Sequence, residues 1–128
     1  MERIVKLLQK GFESSSMKTP EFKSFARLFK NDFTKELNDI HAKMINFSVG
    51  HFDVSGFFQL DNGNLFYFSL SDARGFEFKQ GDFQLMIRTA QHAKDYRGGH
   101  NTWVTMETGM LRKYFMRGDA TAYLAIHS

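Results

Sequence analysis

Cysteine is absent from this chain, which removes disulfides, thiolate metal ligands and cysteine nucleophiles together. Long apolar runs are absent too, and none approaches the roughly 20 residues of a membrane-spanning helix. The opening MERIVKLLQK carries charges too early and too often for a secretory signal. These gaps predict a soluble, cytoplasmic protein with no membrane partner. No P-loop and no GxGxxG is present, so no nucleotide cofactor is expected. The five histidines, His41, His51, His92, His100 and His127, form no HExxH or paired spacing, and no EF-hand occurs. No metal site is therefore expected.

What is present is aromatic carbon and a modest excess of positive charge. Phenylalanine accounts for 15 of 128 residues, and 42% of the chain is hydrophobic. Each buried phenylalanine contributes about 1.5–3 kcal/mol, which is enough for a sizeable core and argues against disorder. The length suits one domain. Within it, 1–18 reads as a short helix plus a Ser-rich linker, 19–118 as the core and 119–128 as a tail. The net charge of +3 leans towards nucleic acid or an acidic protein surface.

Helical periodicity comes first along the chain. Glu2 to Phe12 places Ile4, Leu7, Leu8 and Phe12 on one side, as a loose N-terminal arm ending at Gly11 and Ser14-Ser15-Ser16. Thr19 then suits an N-cap and Pro20 the first helical position, with Glu21 at the positive end of the dipole. Phe22, Phe25, Phe29, Phe33, Leu37, Ile40 and Met44 recur every three or four residues, which predicts an amphipathic helix of about six turns. Lys23, Arg27 and Lys30 form a basic row on its outer face. That row is either a solvated surface or a phosphate-contacting edge.

Near Ile45 the period falls to two. Ile45, Phe47 and Val49 predict a first strand that breaks at Gly50. Phe52, Val54, Gly56, Phe58 and Leu60 predict a second strand, and Phe66, Phe68 and Leu70 a third. The turn Asp61-Asn62-Gly63-Asn64 joins the last two. A two-residue loop would set the two apolar rows on opposite faces. A three- or five-residue loop with Gly63 at positive φ is therefore expected, pairing Leu60 with Phe66 and Phe58 with Phe68. The other face would show Asp53, Ser55, Phe57, Gln59, Tyr67 and Ser69, half-open to solvent. Asp72 to Asp82 reads as a loop or a distorted edge, and Phe83, Leu85 and Ile87 as a fourth strand with Arg88 on the open face. Met106, Met110, Leu111, Tyr114 and Phe115 form a closing helical stripe with Gly118 as its C′ residue. The tail from Ala120 to Ile126 reads equally as a short strand or a packed extension. The fold class expected is α+β, with amphipathic helices on one face of an antiparallel sheet of about four strands.

Leu85 to Trp103, LMIRTAQHAKDYRGGHNTW, concentrates the side chains able to carry function. Arg88, His92, Lys94, Arg97, His100 and Asn101 can donate to phosphate or carboxylate, and Tyr96 and Trp103 can stack on bases. Gly98-Gly99 can form a nest of N–H groups, or simply a flexible turn. The same set serves a protein interface, where Tyr, Trp and Arg are favoured anchors. An alternative is a metal-independent ribonuclease in which His92 and His100 divide the acid and base roles, with Arg88 or Arg97 stabilising charge. The layout of helices, antiparallel sheet and basic loop resembles small bacterial toxin ribonucleases, in layout only.

The pieces GHFDVSGFF, YFSLSD and IRTA…KDY.GG.N, spread over Gly50 to Asn101, resemble small uncharacterised proteins of phages and mobile elements. That resemblance implies a protein that binds nucleic acid or blocks a nucleic-acid-handling host protein such as a CRISPR nuclease. The expected function is a non-enzymatic binding module with nucleic acid or a nucleic-acid-binding protein as partner. Its surface would combine the Arg88–Asn101 loop, Trp103 and the open sheet face with Lys23, Arg27 and Lys30.

Overall fold

The phenylalanine stripe of one long helix is the surface on which the sheet closes. The computed structural model describes residues 2–10, 20–49, 53–71, 84–97 and 101–116. The class is α+β. In chain order the elements are α1 (Glu2–Lys10), α2 (Pro20–Asp39), β1 (Lys43–Val49), β2 (Asp53–Gln59), β3 (Leu65–Ser71), β4 (Gln84–Ala90), β5 (Thr102–Thr105) and α3 (Met110–Met116). The strands form one five-stranded antiparallel sheet in the order β1-β2-β3-β4-β5. The sheet has one strand more than the four expected. TWVT, the 4-residue β5, is too short to display an alternation of its own.

On the inner face, Phe25, Phe29, Phe33, Leu37 and Ile40 of the α2 stripe are all buried, as their spacing predicts. The Phe33 ring lies 4.6 Å from Phe68 and 5.9 Å from Phe58. Phe58 stacks on Phe66 at 5.4 Å, and Phe66 meets Phe115 of α3 edge-on at 5.1 Å. Aromatic pairs of this kind add about 0.5–1.5 kcal/mol beyond the area they bury. Val54, Leu70, Leu85 and Ile87 complete the sheet's share of the core.

The first helix is docked and not a loose arm. Ile4 is fully buried, and Arg3 donates twice to the Asp32 carboxylate of α2, at 2.6 and 3.1 Å. The hydrogen bond from Arg3 is the main reason the Asp32 carboxyl lies below its usual range. At the other end, Arg112 of α3 pairs with Asp39, and the Glu36 carboxylate accepts the Gly109 N–H at 2.8 Å.

The expected six-turn helix stops before Met44. Ala42 N–H reaches Leu37 O at 2.9 Å and His41 N–H reaches Asn38 O at 3.1 Å, the bonding of a Schellman cap. His41 holds the left-handed position at φ 59, so the stop signal is a residue that sequence rules do not associate with one. Met44 belongs to β1. The register of β1 shifts between Met44 and Asn46, which sends both Met44 and Phe47 towards the core and leaves Ile45 38% exposed. The bulge is why Ile45 departs from the expected alternation.

The β2–β3 hairpin keeps both apolar rows on the inner face, as expected, but pairs Phe58 with Phe66 and Gly56 with Phe68. Leu60 and Asn64 close the turn, with Gly63 at φ 93 between them. The register is thus two residues from the expected Phe58–Phe68 pairing. A shift of two preserves facing, and the burial pattern does not distinguish the two registers.

Thr19, the Ser14–Ser16 run, Phe12, Phe52, residues 72–83, Gly118 and the tail lie outside the described residues, as do the side chains of Leu7, Leu8, Glu21, Phe22 and Asp53.

Gly56 fills a place that no side chain fits. A β-carbon there would collide with the Asn46 carbonyl at the bulge and come within 2.9 Å of the Phe68 ring. Gly56→Ala is expected to cost about 1–3 kcal/mol in denaturant unfolding, since overpacking forces neighbours apart. An unchanged midpoint would show that β1 does not cross β2 this closely.

Candidate functional site

On the outer face of the sheet, turned away from α2, two central rows cross the strands next to a row through Lys43, Gln59, Leu65 and Ala90. The first runs Asn46, Phe57, Tyr67, Arg88 through paired positions of β1 to β4. The second, one pleat along, runs Ser48, Ser55, Ser69, Met86, Trp103 across all five strands. The rows differ in cover. Residues 91–97, which follow β4, fold back over the first.

Three kinds of contact hold this segment down. Tyr96 meets Phe57 edge-on at 5.5 Å and Tyr67 at 6.0 Å, so that Phe57 is fully buried on a face that sequence patterning leaves half-open. Arg88, only 4% exposed, lies 4.3 Å from the Tyr67 ring centroid. Its guanidinium donates to the backbone carbonyls of Asp95 at 2.6 Å and Thr89 at 3.2 Å. Asn46 donates to Ala93 O at 3.4 Å while accepting the Phe57 N–H at 3.1 Å. The bulged strand therefore touches the segment as well.

Asp95 organises the segment from inside. Its carboxylate accepts the Gln91 N–H at 3.0 Å and the Arg97 N–H at 3.3 Å. The bond from Gln91 is the leading cause holding this carboxyl below its usual range; partial burial opposes it, while the Arg97 N–H and the charges of Arg88 and His92 reinforce it. The negative charge is thus turned towards main-chain donors, and the segment presents Lys94 and Arg97 outward. Among the described residues the ion pairs are Arg3–Asp32, Arg112–Asp39 and Lys113–Glu107, all on helices or the β5–α3 connection. Lys43, exposed and paired in register with Gln59 on the outer face, joins Lys94 and Arg97 as a cation outside these pairs.

The residues singled out from sequence separate by position. Lys94, Tyr96, Arg97, Asn101 and Trp103 lie exposed in or beside the segment, with Tyr96 at 66% and Trp103 at 54%. Trp103 makes no ring–ring contact among the described residues, and about half of its surface is exposed. Arg88, grouped with the loop by sequence, belongs to β4 and points into the protein's own structure. His92 is exposed, and its Nδ1 accepts the Lys94 N–H at 3.2 Å, leaving Nε2 for any outside partner. Gly98, Gly99 and His100 lie outside the described residues, and with them the His92–His100 pair. Lys23, Arg27 and Lys30 are exposed on α2, and Lys30 Nζ stands 5.5 Å from the inner-face Phe47 ring. Their row therefore belongs to the opposite layer and does not join the loop in one surface.

Sequence reasoning passed over Lys43, Asn46, Ser48 and Met86. The first three needed the register of β1 across its bulge. Met86 became part of a row only through β5. No group of three or more potential metal ligands occurs among the described residues, and no described helix is long and apolar enough to cross a membrane.

Two measurements test this construction. Arg88→Ala should lower stability by about 2 kcal/mol or more, since it orphans carbonyls and uncovers Tyr67, whereas Arg97→Ala should stay within about 0.5 kcal/mol. Equal effects in denaturant unfolding would contradict the latch. The Asp95 carboxyl, lowered in the folded state, stabilises the segment above the ordinary carboxylate range and loses that contribution only as pH falls through the lowered value. The amide proton shifts of Gln91 and Arg97, followed by NMR, should therefore titrate with a midpoint below about 3.9. A midpoint at or above that value would mean the two N–H groups are not bonded to the carboxylate. Compared with protein-family models, curated proteins and solved structures, the chain matches none.

Proposed function

We propose that this chain is a non-enzymatic binding module that engages nucleic acid through the outer face of its sheet. One observation carries the reading: two well-exposed rings, Tyr96 and Trp103, accompany cations that no carboxylate neutralises among the described residues. Rings of this kind stack on unpaired bases for about 1–3 kcal/mol each, and lysine and arginine beside them attract the phosphates. The Asp95 carboxylate is bonded to main-chain N–H groups of its own segment, so Lys94 and Arg97 remain the side chains that this segment turns outward. Tyr96 is braced by Phe57 and Tyr67, so little ordering entropy is lost when a base stacks on it. An origin in a phage or mobile element agrees with such a role.

The binding partner is single-stranded in this reading, because bases paired within a duplex keep their faces stacked on one another. Labelled single-stranded RNA, single-stranded DNA and duplex DNA should be titrated with the protein, with EDTA present and at two salt concentrations. The single strands should bind more tightly than the duplex, with affinity falling steeply as salt rises. Trp103→Ala and Tyr96→Ala should each weaken binding about tenfold, in line with the stacking energy. Failure of every nucleic acid to bind would overturn the reading and turn the same surface towards a nucleic-acid-handling host protein. Cleavage of RNA that is lost in His92→Ala would replace the binding module with an enzyme.

A further inference from the structure

The two central rows of the outer face stand at different heights, and the step between them has a direction. Residues 91–97 cover the row Asn46–Phe57–Tyr67–Arg88 and rise above the sheet. The neighbouring row begins with three short side chains, Ser48, Ser55 and Ser69, then passes Met86 and ends at Trp103. None of these five is fully buried, and Ser48 and Trp103 at the two ends are exposed. A ligand lying parallel to the strands would run into the covering segment at the next row. One lying across the strands, along the foot of the step, meets a continuous floor.

We infer that a single strand of nucleic acid crosses the sheet perpendicular to its strands, from Trp103 on one edge strand to Ser48 on the other. This deepens the reading above and rests on it. The chemistry along the row suits that path. Trp103 offers a half-exposed ring for a base. Met86, its cross-strand neighbour, adds a polarisable thioether that adapts to whatever stacks beside it. The three serine hydroxyls both donate and accept, so they bond phosphate oxygens and sugar hydroxyls alike, and their small size lets a sugar–phosphate backbone approach. Lys94, Arg97 and the exposed part of Tyr96 belong to the covering segment. With strands about 4.8 Å apart, four spacings make the row roughly 19 Å long. A dinucleotide anchored at Trp103 does not reach Ser48, and an octanucleotide does.

Length dependence therefore tests the path. Binding of a dinucleotide and of an octanucleotide is measured on the full chain and on two variants at the far end, Ser48→Glu and Ser48→Lys. Ser48 is exposed on an edge strand, and unchanged melting temperatures check that both variants keep the fold. The octanucleotide should bind the full chain at least tenfold more tightly than the dinucleotide. It should bind several-fold more weakly to Ser48→Glu and several-fold more tightly to Ser48→Lys, while the dinucleotide does not distinguish the three proteins. If the octanucleotide binds but ignores both substitutions, or if both lengths respond equally, the path is wrong and the nucleic-acid reading survives. If neither length binds the full chain, path and reading fall together.

Discussion

A buried guanidinium decides what the outer half of this protein looks like. Arg88 projects from β4 on the side of the sheet that α2 does not cover, where an arginine would ordinarily reach for water. It is instead enclosed between the Tyr67 ring and the backbone of the segment that follows its own strand. Burial of a cation is tolerable only where the lost hydration is replaced, and here two carbonyl oxygens and an aromatic face replace it. Everything else in the outer layer follows. Because Asp95 is held by its backbone, its carboxylate is free to bond Gln91 and Arg97, and Tyr96 is placed over Phe57 and Tyr67.

The two faces of the sheet solve the same problem with different materials. The inner face buries phenylalanine against phenylalanine, from α2 to β2 and β3 and on to Phe115 of α3. On the outer face, among the described residues, a short loop with one tyrosine and one aspartate covers the row Asn46–Phe57–Tyr67–Arg88. Charge follows the same division. On the helical side, Asp32, Asp39 and Glu107 each face an arginine or lysine. On the outer side the Asp95 carboxylate is bonded to backbone donors and, among the described residues, forms no ion pair with the Lys94 or Arg97 side chain.

How much of this the sequence discloses depends on what each element contributes to burial. The stripe from Phe25 to Ile40 and the alternation in β2, β3 and β4 are legible because burial repeats at a fixed period. The α2 stop is not legible, since His41 takes a conformation that glycine usually marks. The bulge that exposes Ile45 is equally silent: an inserted residue alters the period once and leaves no repeat to detect. For the site, residue types were legible and roles were not. The loop's tyrosine, aspartate and arginines could be picked out as chemically capable. That Arg88 faces inward and Arg97 outward depends on a strand ending at Ala90, which neither residue records. The serine row is invisible without register, because its members are spread over three strands and serine carries no pattern of its own.

The latch has one more property, which concerns change over generations. Arg88 grips main-chain oxygens, so its hold on the loop does not depend on which side chain position 95 carries, nor on those of the exposed neighbours Lys94 and Arg97. The hinge and the lettering are therefore separate. Substitutions at the outward positions can change the charge and shape of the surface while the support beneath them stays the same. A lineage under pressure to follow a changing target could vary this patch without first having to secure its fold again.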